Sequence, residues 1–315
     1  MTTSNVTLML LSYKQENFVA DAVASALAQL GPPIEIIISD DASPDGTWAE
    51  ICALTEAYGG PHTIKTHRNV QNMGLIAHFN QTLERSSGDI ICYLAGDDIA
   101  VPNRVQVAVD LLRDNPSTTF VESASLCFGS RTPPLSKRVS VSPEKVAVFD
   151  LESFAAGHAP DLSSATRTFR KAPLMAFPPL DPALSSEDSP NALRLLLHGQ
   201  GMRLKEALLH KRVHDDNITG TSGLMRIDFD QIRAQYVKDI THAYEAGILE
   251  AKQAAFLQGW AFRNIERRKL RRIIDLRHPG LFELARLILP SRHLGVRGKI
   301  YAIRRFLACP SLDGR

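Results

Sequence analysis

DIICYLAGDD, residues 89–98, decides the fold. From Ile90 to Leu94 the side chains are apolar or aromatic without polar alternation, as in a strand covered on both faces, and the run stops at Gly96 and two adjacent aspartates. Working outward, VTLMLLS (6–12), IEIIISD (34–40) and HTIKTH (62–67) punctuate the chain in the same way. Helical patterns follow them over Asn17–Gln29, Asp45–Tyr58 and Gly74–Ser86, and another follows the aspartates over Val105–Arg113. This alternation predicts an α/β fold, a mainly parallel Rossmann-like central sheet flanked by helices and joined by right-handed crossovers. Ligands of such sheets sit beyond the carboxyl ends of the strands, where Ser12-Tyr13, Asp40-Asp41 and Gly96-Asp97-Asp98 all fall.

Composition sets the outer limits. The 315 residues are 44% hydrophobic and 22% charged, enough to bury a large core and unlike a disordered or collagenous chain. No stretch approaches the ~20 apolar residues of a spanning helix. Four scattered cysteines, without a C-x-x-C pair or zinc spacing, argue against a disulfide framework or a structural metal. MTTSNVTLMLLSYKQ lacks the marks of a signal peptide, so a cytoplasmic location is expected.

The net charge of +2 hides an asymmetry. Residues 260–315 hold 14 Lys and Arg against 4 Asp and Glu, a surplus of +10, which leaves −8 for residues 1–259. Arg263–Arg272 and Leu281–Pro290 mix cations with apolar residues at helical spacing. Two readings stand: a helix on an anionic membrane surface, or a helix whose apolar side packs on the protein. No aromatic-interleaved or nucleic-acid motif accompanies the charge, which disfavours nucleic acid as a partner.

Further along, Pro133–Pro143 is Pro/Ser-rich and reads as a loop, Phe149–Gly157 as a short helix, Ser163–Arg170 as a strand and Ser185–Gly199 as a helix. Beyond Gly220 the chain turns to long helical segments over Ile227–Asp275. A boundary near Gly220 therefore divides a first domain, 1–220, from a basic helical region, 221–315.

Four constellations carry possible chemistry. Asp97 and Asp98 end a buried strand and repel each other, so a divalent cation bearing phosphate oxygens would relieve them. The alternative is that one caps the helix after Pro102 while the other is solvated. In Asp40-Asp41-Ala42-Ser43-Pro44-Asp45 one carboxylate could accept from a base or ribose, while Asp45 caps the next helix. Glu187-Asp188 opens an apolar helix, where the dipole favours an ionised base, or serves as a simple cap. In Lys211-Arg212-Val213-His214 the imidazole could complete a metal's coordination and Arg212 could meet phosphate, or the histidine is an ordinary surface residue.

Taken in order, LLSYKQENFVADAVASALAQ, IEIIISDDASPDGT, RNVQNMGLIAHFNQTLERSSGDIICYLAGDD, SSEDSPNALRLLLHG and HKRVHDDNITG resemble glycosyltransferase family 2 over residues 5–220. The resemblance implies the GT-A fold and inverting transfer from a nucleotide sugar with Mg2+ or Mn2+. It matches Tyr13 and Asp41, with Ser12 beside them, to the residues holding the nucleobase and ribose. Asn72, Gly74 and Asn80 match the segment lining nucleotide and sugar. Asp97 matches a ribose or sugar contact and Asp98 the metal ligand. Asp188 matches the base and Glu187 its neighbour, although Ser189-Pro190 stands where the family carries bulkier residues. His214 matches a histidine reaching metal or diphosphate, and Arg212 the adjoining basic position. Asp161, Ser163 and Ser164 are expected near the acceptor. Together these imply a hexosyltransferase acting on a glycan or lipid-linked oligosaccharide in surface polysaccharide assembly, at the inner face of a membrane. Nucleotidyl transfer keeps the fold but lacks a Gly-rich basic loop after the first strand. A Rossmann oxidoreductase would need G-x-G-x-x-G where Ser12–Asn17 stands. A non-catalytic binding subunit is opposed by the joint presence of Asp41, Asp98 and Asp188.

Overall fold

The computed structural model describes residues 5–129, 145–159, 162–214 and 226–277, with positions 283, 285–286, 299–300 and 303–304 beyond them. The chain divides into two compact units, Met1–Ile227 and Asp228–Arg315.

The first unit is built on one nine-stranded sheet. Its strands are β1 (Val6–Ser12), β2 (Glu35–Asp40), β3 (Thr63–Arg68), β4 (Ile90–Ala95), β5 (Ile99–Ala100), β6 (Thr118–Phe128), β7 (Val146–Phe149), β8 (Thr168–Arg170) and β9 (Gln200–Arg212). They run in the order β3-β2-β1-β4-β8-β6-β9-β5, with β7 on β9. The helices are α1 (Val19–Leu27), α2 (Thr47–Glu56), α3 (Leu75–Arg85), α4 (Arg104–Asp114), α5 (Leu151–Ala156), α6 (Lys171–Met175) and α7 (Asp188–Leu196).

Side-chain alternation explains why β1 and β4 carry no polar face. Leu8, Leu10, Ile90, Cys92 and Leu94 enter one core with Val19, Val23, Ile51, Val105 and Leu112 of α1, α2 and α4. Met9, Leu11, Ile91 and Tyr93 point the other way, onto Phe79 and Leu83 of α3 and Leu195 and Leu196 of α7. A strand covered on both faces must be apolar throughout, as the sequence of β4 is.

The sheet is mixed. The block β3-β2-β1-β4 is parallel and so is β6 with β9, whereas β8 lies antiparallel to both β4 and β6. The strand expected over Ser163–Arg170 shrinks to β8, preceded by a 3-10 turn over Ser164–Thr166. The turn exists because the N–H groups of Ser163 and Ser164 are taken by the carboxylates of Glu122 and Asp188 rather than by a ladder. Strands β6 and β9 went unread because polar residues such as Glu122, Ser123, Arg203 and Lys205 interrupt their apolar pattern. The Pro133–Pro143 loop lies outside the described residues.

The second unit contains α8 (Phe229–Glu245) and α9 (Ala251–Arg277). Asp228 caps α8 by accepting the N–H groups of Asp230 and Gln231. Gly247, at φ +71°, ends that helix. The buried stripe Ile232, Tyr236 and Ile240 of α8 answers Leu257, Trp260 and Ile265 of α9, with the Tyr236 and Trp260 rings 5.1 Å apart. Part of the basic run is used within the unit: Lys269 pairs with Asp230 at 2.7 Å, and Arg268 and Arg272 cover Phe229. Among the described residues no helix is long and apolar enough to cross a membrane.

Candidate active site

The carboxyl ends of β1, β2 and β4 are tied side by side: Ser12 O accepts the Asp41 N–H, and Leu11 O accepts the Gly96 N–H. A Cβ on Gly96 would stand 2.9 Å from Ser12 Cβ and 3.1 Å from Leu11 O, so this approach of β4 to β1 needs glycine. Beyond Ser12 the chain is zipped to the β2 loop through Lys14 N–H to Ser43 Oγ and Gln15 N–H to Thr47 Oγ1. Tyr13 stands 40% exposed at the rim, with Lys14 Nζ 5.4 Å from its ring. Lys14 and Ala42 both hold positive φ, 54° and 56°, a backbone state that costs a non-glycine residue about 1–2 kcal/mol.

Asp40 and Asp41 face inward. Asp40 accepts the Ser43 N–H at 2.9 Å and faces Arg68 Nε at 3.4 Å. Asp41, 2% exposed, accepts from Asn69 Nδ2, Asn72 Nδ2, Met73 N–H and Gly74 N–H, two donors on each oxygen. Those four donors fill the acceptor capacity of a carboxylate. Asp41, expected at the base or ribose, here uses both oxygens to shape the loop that carries Asn72 and Gly74. Gly74 enters α3 at φ +80°. Asn80, expected beside the sugar, instead ties α3 to Leu180 through both backbone atoms of that residue. Asp45 does cap α2, accepting the Thr47 N–H and hydroxyl. Behind β2, buried His78 meets Ser39 Oγ at 2.7 Å, and burial pushes its pKa down to about 4.

At the end of β4 the two carboxylates part. Asp98 is buried and its Oδ1 accepts the Arg212 N–H at 3.0 Å. Burial first, and then the Asp97 charge, push its pKa up to about 7 against that hydrogen bond. Asp97 is more open, and its Oδ2 lies 3.0 Å from His214 Nε2. The structure thus joins His214 to Asp97, where Asp98 was the expected partner at the metal. Arg212, expected at phosphate, is buried, pairs with Asp21 at 2.6 Å, donates to Asp97 O and is sandwiched between the Phe18 and Phe128 rings. It clamps the Asp97-Asp98 turn.

The donor chemistry fits a divalent cation. Hard carboxylate oxygens and one imidazole meet beside a buried acid that resists ionising without a neighbouring positive charge. Among the described residues no three His, Cys, Asp or Glu side chains form a ready cluster. Mg2+ is commonly held by one or two carboxylates with substrate phosphates supplying the rest, so a partial set suffices.

The third cluster comes from the other half of the sheet. Glu187 is the N-cap of α7 and Asp188 its first residue. Pro190 falls in the first turn, where its missing N–H costs nothing. Glu187 is buried while Asp188 is partly exposed. Ser164 donates its N–H to Asp188 Oδ1 and its hydroxyl to Glu187 Oε1. Ser163 gives its N–H to Glu122. The two serines expected at the acceptor therefore bind protein carboxylates. Asp161 lies outside the described residues. Burial raises the Tyr93 phenol, and the charges of Glu187, Asp97, Asp188 and Asp98 raise it further. One side chain thus feels the charge of all four carboxylates.

Several supporting residues escaped the sequence reading. Glu122 accepts from Arg167 and Arg203, and Arg167 Nη1 also donates to Asp188 O at 3.0 Å. Arg104, 1% exposed, donates from Nη2 to Tyr93 O and Ala165 O, while its Nε and Nη1 find no partner among the described residues. A lone carboxylate inside the apolar run TTFVES was the available signal for Glu122.

The family model of Glycosyl transferase family 2 matches residues 7–176. EpsE of Bacillus subtilis is 30% identical over 125 residues, 39% of this chain and 44% of that protein. The glucosyl-dolichyl phosphate glucuronosyltransferase of Haloferax volcanii is 25% identical over 118 residues, 37% of this chain and 36% of that one. The chain thus spans less than half the length of these curated relatives. Among solved structures, S. aureus TarS 1–349 in complex with UDP-GlcNAc is similar at a TM-score of 0.62 and 16% identity, covering 96% of this chain and 80% of that one. The mannosyltransferase PcManGT of Pyrobaculum calidifontis, in complex with GDP-Man and Mn2+, gives 0.57 at 14% identity, covering 98% and 86%. At these identities the likeness is one of fold.

Proposed function

The chain belongs to glycosyl transferase family 2, and from that premise we propose that it is a metal-dependent inverting glycosyltransferase moving a hexose from a nucleotide sugar to a hydroxyl. The family match over residues 7–176, with the acidic pair Asp97-Asp98 and His214 gathered at the end of β4, carries this reading. The donor binds across the ends of β1, β2 and β4, with its base against the exposed Tyr13 ring and its ribose and phosphates along Ser12, Asn72 and Asp97. UDP and GDP donors both have support, since TarS and PcManGT were solved with UDP-GlcNAc and GDP-Man. Asp97, Asp98 and His214 would hold Mg2+ or Mn2+. When bound, that ion supplies neutralisation of negative charge on the departing nucleoside diphosphate.

Asp188 takes the proton of the acceptor hydroxyl as its oxygen attacks the anomeric carbon from the face opposite the leaving diphosphate. The glycosidic bond forms as the sugar–phosphate bond breaks, and the configuration inverts. The Ser164 N–H, donated to Oδ1, orients Asp188 for this step. The acceptor class we favour is a glycan or lipid-linked oligosaccharide of surface polysaccharide assembly, reached from the cytoplasmic face of a membrane. Exposed Phe256 and Phe262 on α9, covered by Arg263 and Arg233, support contact with anionic lipid. Weaker binding of Arg263→Glu to phosphatidylserine vesicles is the expected result.

A thermal-shift panel of nucleotide sugars, including UDP-GlcNAc and GDP-mannose, with and without Mn2+, tests the donor reading. At least one sugar should raise the melting temperature, and more with Mn2+. A flat panel would refute it. Asp188→Asn should retain that shift while losing transfer.

A further inference from the structure

We propose that Ser164 is a positioning residue that grips the Glu187-Asp188 pair and leaves Asp188 Oδ2 as the oxygen that receives the acceptor proton. The inference rests on Asp188 being the base. Ser164 is buried, and it reaches both carboxylates, Oδ1 of Asp188 through its N–H and Oε1 of Glu187 through its hydroxyl at 2.7 Å. Among the described residues Asp188 Oδ2 has only the Ser186 hydroxyl, at 3.4 Å. One oxygen of the base is held and the other is free to turn outward.

The grip is itself anchored. Glu122 accepts the Ser163 N–H at 2.8 Å and the Arg167 Nε at 2.8 Å, Arg203 meets the same carboxylate at 3.0 Å, and Arg104 holds Ala165 O at 2.9 Å. Neighbours on both sides of Ser164 are thus fixed to β6, β9 and α4, and Arg167 returns to Asp188 O. A turn tied at so many points holds a side chain to within fractions of an ångström, which catalysis by a positioned base requires.

The charged and titratable groups around Glu187 are Asp188, Arg167 and Tyr93. Burial and the Asp188 charge push Glu187 up to about 7, and the Ser164 hydroxyl acts the other way by favouring the ionised form. Removing that hydroxyl raises Glu187 further, so a smaller fraction is ionised at neutral pH. Asp188 then loses a neighbouring negative charge and becomes a weaker base.

The experiment uses the full chain and whichever nucleotide sugar gives the largest thermal shift. Ser164→Ala should lower kcat about ten- to a hundredfold with donor Kd unchanged, and shift the acid limb of the kcat profile downward, by up to about one pH unit. Ser164→Thr, which keeps a hydroxyl, should recover most of the loss. A Ser164→Ala protein with normal kcat and pH profile overturns the proposal, and so does one whose donor affinity falls as far as its turnover. If Ser164→Ala does not fold, Glu187→Gln decides: it retains the acceptor for the hydroxyl but removes the charge, so the acid limb should drop, and an unmoved limb overturns the proposal. Asp188→Asn runs in parallel. Full transfer in that variant sinks the base itself, whereas loss there with normal Ser164→Ala sinks only the role of Ser164.

Discussion

Two pairs of adjacent aspartates end neighbouring parts of the same parallel block, and the fold treats them in opposite ways. At β2, Asp40 and Asp41 are surrounded by donors: Ser43 and Arg68 for the first, and four N–H groups of residues 69–74 for the second. At β4, Asp98 receives one backbone N–H and Asp97 faces an imidazole. Both pairs read alike in the sequence. Asp41 is met by four donors of the protein and buried Asp98 by one backbone N–H, so of these two acids Asp98 is the one with more to gain from a cation.

The contrast is broken most directly at Asp97. Asp97→Asn should cut transfer by about a thousandfold or more while the melting temperature stays within a few degrees, since the amide keeps the shape of the side chain. A large loss of stability with residual activity would assign it to the scaffold instead. Asp41→Ala should do the reverse first: four donors lose their acceptor, and unfolding in urea should reveal a loss of about 2–4 kcal/mol. A stable Asp41→Ala protein that no longer binds nucleotide would return Asp41 to direct contact with the ligand.

Acid sharpens the same difference. His78 is held neutral behind β2, its pKa lowered by burial to about 4, below its ordinary 6.5. The unfolded chain therefore takes up a proton that the folded one refuses. Stability is complete above pH 6.5 and declines as pH falls towards 4. Melting curves over that range should show the decline, and His78→Asn should flatten it. The smallest effect belongs to Gly74: at φ +80°, Gly74→Ala should cost about 1 kcal/mol by denaturant titration and loosen the Asn72 loop.

The parallel half of the sheet was legible because its information is local. An apolar run ending in acids states a strand, its burial and the location of a cleft within ten residues, as DIICYLAGDD does. The other half was not, because its parts meet only through the fold. Glu122, Arg167 and Arg203 form one assembly across β6, the turn before β8, and β9, separated by up to 81 residues. For the same reason Ser163 and Ser164 were assigned to an acceptor, and Arg212 to phosphate. Residue type identified them as polar and near the site, but only coordinates could tell that Glu122, Asp188, Glu187, Asp21 and two aromatic rings had already engaged them.

Arg104 gives the acidic centre a hidden dependency. Its guanidinium is positive, sealed from water and, among the described residues, met only by the neutral carbonyls of Tyr93 and Ala165, while its field favours ionisation of Asp98. The cation is tolerable inside the protein because negative charge gathers nearby. A lineage that discarded the aspartates to become a non-enzymatic relative would strand this arginine, so decay of the chemistry should drag Arg104 towards an uncharged residue. Its retention or loss offers a way to tell working descendants from silent ones without an assay.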